Sequence, residues 1–230
     1  FFVAIAFAIA AGMLLGMLLE FSLLRPKRGA DIDTTMLIMI GAWIIMQNLE
    51  HLTWGGIAKS IPSPLPETPL VIGPISISWL RLMVLVIALV LIAATYSVIN
   101  LTKLGKAMRA TFQDSSTAAL MGINVNAIYT LTFGFGSALA AAAGALLGPV
   151  FVVTPTMGDL ASLKAFAIVI LGGLGNITGA AIGGFILALA EEIGAGYISS
   201  GYRDAMGFVI IIIVLLFRPT GLFARAERVG

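Results

Sequence analysis

The chain has 230 residues, of which 60% are hydrophobic and only 10% charged, with a formal net charge of +2. That balance excludes an ordinary soluble domain of this length and a nucleic-acid binder, and it fits a polytopic α-helical membrane protein. The absence of cysteine and the single histidine, His51, exclude disulfides, thiolate catalysis and cysteine or histidine metal clusters.

Phe1-Phe2-Val3 opens inside an apolar run, so the chain reads as incomplete at its start, and Phe1 to Leu24 reads as a first membrane span. A signal peptide is the competing reading, but its apolar region spans about 7 to 15 residues and ends in a cleavage site, not in a basic loop. Gly12 and Gly16 have the spacing that lets a neighbouring helix approach closely. Arg25, Lys27 and Arg28 close the span, and Pro26 helps to stop it. Met36 to about Trp54 is a second span. Its outer end carries Gln47, Asn48, Glu50, His51 and Trp54, with His51 a solvated or hydrogen-bonded interfacial residue.

Residues 55–78 form an outer loop with Pro62, Pro64, Pro66, Pro69 and Pro74, in which Leu70-Val71-Ile72 and Ile75-Ser76-Ile77 flank Gly73-Pro74 as a small hairpin. Trp79 to about Asn100 is the third span, with Arg81 near its outer end, where it can snorkel. The longest polar interruption follows, at residues 101–126. Lys103, Lys106 and Arg109 occupy one side of a short helical pattern there, and Leu104, Met108 and Phe112 recur every four residues on the other. Asp114 or Ser115 can cap a second short helix, Ser116 to Met121, which Gly122 can end in the left-handed conformation, and Asn124 can cap the next span.

Ala127 to Val153 is the fourth span, rich in small residues and open to a kink at Pro149. Residues 160–194 read as a broken pair of helices. Asp159 or Ser162 can cap a helix from Leu160 to Leu171, only about 18 Å long at 1.5 Å per residue, before Gly172, Gly173, Gly175 and Asn176 interrupt it. The helix from Ile177 to Gly194 then carries Glu191 and Glu192 to the outer interface, where solvation is expected. The break is either a tight loop at the inner surface or irregular backbone lining a pathway. Gly175, Gly179 and Gly183 are expected to be packing positions on one face. Residues 197–204 form an outer loop, and Ala205 to Phe217 is the last span, followed by Arg218.

The basic residues test this map. Arg25, Lys27, Arg28, Lys103, Lys106, Arg109, Arg218, Arg225 and Arg228 fall on one side, which the positive-inside tendency makes cytoplasmic; Lys59, Arg81, Lys164 and Arg203 fall on the other. The expected fold is all-α, a polytopic transmembrane bundle of about seven apolar segments with a cytoplasmic two-helix region and a cytoplasmic C-terminus.

Three separated runs, GKAMRATFQDSSTAALMGINV from Gly105, LKAFAIVILGGLGNITGAAIGG from Leu163 and FRPTGLF from Phe217, resemble the permease subunits of bacterial ABC importers for branched-chain amino acids, the Liv type. YISSGYRD from Tyr197 and QNL from Gln47 are closer to the H-type permease than to its M-type partner. The resemblance covers essentially the whole chain, and such permeases have apolar sequence ahead of the position of residue 1.

The resemblance implies an inner-membrane, multi-pass location, with residues 55–78 periplasmic. It also implies two cytosolic ATP-binding subunits, a second related permease, a periplasmic substrate-binding protein and the lipid bilayer as partners. No cofactor is expected in this chain, ATP and magnesium belonging to the ATPase subunits. Residues 101–126 become the coupling region, with Met108, Arg109, Gln113, Asp114, Thr117, Ala118, Leu120, Met121 and Gly122 as its ATPase-coupling residues. The usual importer loop begins Glu-Ala-Ala, whereas Thr117-Ala118-Ala119 stands here without the glutamate. Gly172, Gly173, Gly175 and Asn176 are the candidates for the translocation pathway.

The chain has no phosphate-binding loop of the G-x-x-x-x-G-K-[ST] type, and no nucleophile and base that would make it an enzyme. An ion-coupled secondary transporter or channel is the alternative; it would need carboxylates deep among the helices, whereas the acids here sit near helix ends.

Overall fold

A computed structural model describes residues 1–27, 31–62, 65, 69–72, 75–173, 175–197, 199–218 and 221–223. Arg28, Ser63, Pro64, Pro66, Gly73, Pro74, Leu174, Arg225 and Arg228 lie outside the described residues. The chain divides into two compact units, Phe1–Thr156 and Met157–Gly230.

The first unit begins with α1, Phe2–Leu19, which continues through a π-helical turn, Glu20–Leu24, and a short 3₁₀ turn, Arg25–Lys27. Helix α2 is Ile32–Trp54, β1 is Leu70–Ile72 and β2 is Ile75–Ile77. The strands form the expected hairpin, with Leu70 opposite Ile77 and Ile72 opposite Ile75. Helix α3 (Trp79–Leu101) leads to two short helices, α4 (Lys103–Gln113) and α5 (Ser115–Leu120), and then to α6 (Val125–Leu147). The fourth span thus ends earlier than expected. Helix α6 stops before Gly148-Pro149, because proline removes a backbone donor and disfavours helical geometry in the residue before it.

The first unit is held by α1 packed along α6. A side chain at Gly12 would strike Ala141 and stand 3.0 Å from the Ser137 carbonyl, and one at Gly16 would strike Ser137 and approach the Phe133 carbonyl at 3.1 Å. Small residues bring the two backbones close enough for dispersion to act where lipid removes the hydrophobic drive. Lys59 and Val153 exchange backbone hydrogen bonds of 3.0 and 2.8 Å, tying the loop after α2 to the segment after α6. Gln47 Nε2 adds a bond to the Pro155 carbonyl.

The second unit contains α7 (Met157–Gly172), α8 (Ile177–Tyr197), a 3₁₀ turn at Ser200–Tyr202, and α9 (Arg203–Phe217). Helix α7 starts earlier than expected. Asp159 therefore lies inside its first turn, where a carboxylate favours the helix dipole, and does not cap it. Ala167, Leu171, Leu187 and Ile211 form the core, with Ile210, Val214 and Leu222 packed against it.

The helices long and apolar enough to cross a membrane are Phe2–Lys27, Trp79–Leu101, Val125–Leu147 and Ile177–Tyr197. The count of seven spans is not reached among the described residues. Helices α7 and α9 have only 16 and 15 residues, about 24 and 22 Å at 1.5 Å per residue, and the C-terminal half of α2 is diluted by Gln47, Asn48, Glu50 and His51.

Candidate coupling region and charged helix contacts

The polar interruption folds as two capped helices whose turn chemistry follows the local sequence. At the corner between α3 and α4, Thr102 Oγ1 donates to the Val98 carbonyl and accepts from Gly105 N–H at 3.1 Å. Any side chain at Gly105 would collide with the carbonyls of Val98 and Ile99. Arg109 donates through its guanidinium to the Ile99 carbonyl, one of the acceptors that the end of α3 leaves open. A cation at a helix C-terminus also complements the helix dipole. Arg109 thus braces the corner.

Asp114 caps α5. Its carboxylate accepts from the backbone N–H groups of Ser116 (2.9 Å) and Thr117 (3.1 Å) and from both of their hydroxyls. The Ser116 hydroxyl first, then that of Thr117, holds the carboxyl well below the usual carboxylate range. The cap is therefore complete above the ordinary carboxylate pKa of about 3.9 and is lost only as pH falls through the depressed value. At the other end, Gly122 has φ +83°, Gly122 N–H donates to Ala119 and Ile123 N–H to Ala118. That is a Schellman closure with glycine in the left-handed position. Asn124 accepts from Ala127 N–H at 3.2 Å and starts α6, as its sequence position implies.

The faces differ from the four-residue repeat. Gly105, Met108 and Thr111 are buried on α4, whereas Phe112 is 89% exposed. Met108 and Ala118, expected at a partner surface, are buried within this chain and act in packing. Gln113, Asp114, Thr117, Leu120, Met121 and Gly122 are exposed, with Leu120 at 88% and Met121 at 79%. Phe112, Leu120 and Met121 thus project from the two short helices with nothing covering them, outside every helix long enough to span.

The glycine break is a tight turn. Gly173 N–H donates to Ile170 and Asn176 N–H to Gly173, with Gly173 at φ +92° and Gly175 at φ +79°. Asn176 caps α8 by accepting from Gly179 N–H at 3.0 Å, and its amide donates to the Phe223 carbonyl at 2.8 Å. Leu222 N–H donates to the Leu171 carbonyl, so the segment after α9 straps the turn. Close packing falls on Gly172, Gly179 and Gly183; a side chain at Gly172 would lie 2.5 Å from backbone atoms of Gly179 and Ala180. Gly175 corrects the expected packing face. It precedes α8, and a side chain there would meet nothing within 4 Å.

Glu191 and Glu192 are both expected in contact with water, and the fold separates them. Glu192 is solvated as expected, 3.1 Å from Arg203. Glu191 is not: its side chain is 12% exposed and pairs at 2.8 Å with Lys164, whose own side chain is 30% exposed. Glu20, at the start of the π turn, is 2% exposed and accepts a short hydrogen bond from the Thr130 hydroxyl of α6. Glu20 is the only acid before Asp31, a signal the sequence offers, but nothing local indicates its partner 110 positions away. Glu20→Ala should lower thermal stability by about 1–3 kcal/mol by leaving the Thr130 hydroxyl without this acceptor, while Glu20→Gln keeps most of it; melting of the purified protein in detergent checks the pair.

The family model described as branched-chain amino acid transport system / permease component matches residues 1–215. The high-affinity branched-chain amino acid transport system permease protein BraD of Pseudomonas aeruginosa is 39% identical over 209 residues, covering 88% of this chain and 68% of that protein. The corresponding protein LivH of Escherichia coli is 37% identical over the same shares. The ribose import permease protein RbsC of Escherichia coli is 26% identical over an alignment of 235 positions, covering 93% and 68%. No solved structure matches the chain. Membrane-length helices, a capped two-helix interruption and a family match along nearly the whole length lead to one conclusion: this chain belongs to the family of branched-chain amino acid transport system permease components.

Proposed function

We propose that the chain is one permease half of an ABC importer that moves leucine, isoleucine, valine or a related amino acid or amide inward by alternating access. Two cytosolic ATP-binding subunits supply the energy with ATP and magnesium bound to them, a second related permease completes the path, and a periplasmic binding protein delivers substrate. The location is the bacterial inner membrane, with residues 55–78 periplasmic and the C-terminus cytoplasmic. The observation that carries the reading is the uncovered apolar set Phe112, Leu120 and Met121 on a capped, internally braced pair of helices. Large apolar side chains supply most of the energy where a groove encloses them, while rim charges such as Lys103 and Lys106 contribute less.

ATP-dependent, vanadate-sensitive uptake of leucine by vesicles containing the full assembly tests the function; uptake that persists without ATP and follows an ion gradient would replace it with secondary transport. Orientation has its own measurement. A cysteine at Ser115 should be labelled only from the cytoplasm and one at Ser63 only from outside, and the opposite pattern would invert the map.

The turn at Gly172, Gly173, Gly175 and Asn176 is proposed to border the pathway at its cytoplasmic end. Irregular backbone at membrane depth is tolerated where it faces protein or a cavity. The strap of Leu222 and Phe223 across it supports a position that moves with the end of α9.

A further inference from the structure

Glu20 and Thr130 close one end of the seam between α1 and α6. The seam runs antiparallel: a side chain at Gly12 would strike Ala141, one at Gly16 would strike Ser137, and Glu20 reaches Thr130. Thr130 lies six residues, about 9 Å of helix, beyond the Asn124 cap, at the end where α4 and α5 touch α6. It thus stands between the two short helices and the glycine-packed part of the seam.

The backbone of α1 changes register at the same point. Glu20 N–H is shared between the Gly16 and Met17 carbonyls, Arg25 N–H donates back five residues to the Glu20 carbonyl, and a 3₁₀ turn follows at Arg25–Lys27. Before Glu20, Gly12 and Gly16 fix α1 against the backbone of α6; after it, Phe21, Ser22 and Arg25 are exposed. Departures of this kind from α-helical spacing mark hinges and functional sites.

The hydrogen bond across the seam also has a ready alternative. Thr130 Oγ1 lies 3.0 Å from the Asn126 carbonyl, one turn back in α6. A hydroxyl has one proton to donate, so Thr130 can leave Glu20 for Asn126 without being left unpaired. The contact therefore has two arrangements, joined and released. Packing alone does not call for a carboxyl here, because an apolar side chain fits between membrane helices with less desolvation.

We propose that Glu20 and Thr130 are positioning residues for energy coupling, their hydrogen bond a latch that makes the π turn of α1 follow the first turns of α6 when the ATPases move α4 and α5. The latch rests on the permease reading and adds to it a step between the docking surface and the membrane helices. With the latch released to Asn126, α6 moves without α1 and ATP is hydrolysed without transport.

The test measures leucine taken up per ATP hydrolysed by the complete assembly, with its binding protein, in proteoliposomes. Thr130→Val nearly keeps the shape and removes the hydroxyl; it should assemble and hydrolyse ATP, with uptake per ATP about tenfold lower, the order of one buried hydrogen bond. Thr130→Ser, which keeps the donor, should stay near wild type. The double variant Glu20→Ala/Thr130→Val should be no worse than Glu20→Ala, because either change removes the same bond. Ile5→Ala, at a buried position near the start of α1, should lower the melting temperature and leave the ratio unchanged, which separates coupling from loss of stability. The proposal is overturned if Thr130→Val keeps the wild-type ratio, if Thr130→Ser falls with it, if the effects of the two changes add, or if Ile5→Ala lowers the ratio as much. It is also overturned if Thr130→Val fails to assemble, the pair then serving only to hold α1 to α6. A wild-type assembly that takes up no leucine on ATP would sink the permease reading along with the latch, whereas the outcomes above, with wild-type uptake intact, bear on the latch alone.

Discussion

Met121→Asp should leave membrane insertion intact and strip the permease of its ATPase subunits during purification. Met121 is 79% exposed in this chain and Leu120 beside it 88%, so the substitution costs the isolated fold no packing and at most about 1 kcal/mol for a carboxylate at the C-terminus of α5. Its penalty arises on docking, where a carboxylate would be carried into a desolvated groove at a cost of several kcal/mol when no partner neutralises it. That corresponds to a loss of about a hundredfold or more in affinity. Gly122→Val should reach the same phenotype by another route. At φ +83° a β-branched residue is strained, and relief of the strain would break the closure from Gly122 and Ile123 to Ala119 and Ala118, reshaping the tip. Met108→Ala makes the contrast, because Met108 is buried: it should lower the melting temperature of the permease while the ATPases stay bound. Co-purification and stimulated ATP turnover measure these outcomes. Wild-type retention of the ATPases by both Met121→Asp and Gly122→Val would show that the two-helix region of α4 and α5 is only solvated and docks nothing.

Gly172→Ala should be among the most damaging single-methyl changes in the second unit. The added carbon would lie 2.5 Å from Ala180 N and the Gly179 carbonyl oxygen, and backbone atoms cannot rotate aside as a side-chain tip can. Helices α7 and α8 must separate or the turn must rebuild, at a cost at or above the upper end of the 1–3 kcal/mol typical of overpacking. Gly175→Ala, three residues away, meets open space and should cost only the left-handed strain of about 1–2 kcal/mol. Melting temperatures of the two variants in the same detergent should rank Gly172→Ala well below Gly175→Ala. The reverse order would mean that backbone conformation, not helix approach, governs this turn.

Much of the fold was legible because its determinants are local. Runs of apolar residues specify helices in a medium that forbids unpaired backbone, so the positions of α1, α3, α6 and α8 follow from hydropathy. Asp114, Gly122 and Asn124 do their work within three or four residues of themselves, and each is found in the capping role its type and place imply. Pro149, expected to kink a span reaching Val153, instead lies beyond the end of α6 at Leu147.

What the sequence by itself determined is therefore membrane helices, their caps and turns, a small hairpin and the polar interruption between α3 and α6. Only the tertiary structure decided which faces are covered. In a membrane protein an apolar side chain suits lipid, a neighbouring helix or a partner's groove equally well, so a repeat of Leu104, Met108 and Phe112 carries no mark telling buried Met108 from exposed Phe112. The same degeneracy hid which glycines admit a neighbour: Gly172 and Gly179 do, Gly175 does not. The adjacent acids Glu191 and Glu192 look alike in sequence, yet about 100° of helical rotation turns one toward Lys164 and the other toward water. Glu20 meets Thr130 only because small residues let α1 and α6 close on each other, a pairing set by the approach of two backbones and not by either local sequence.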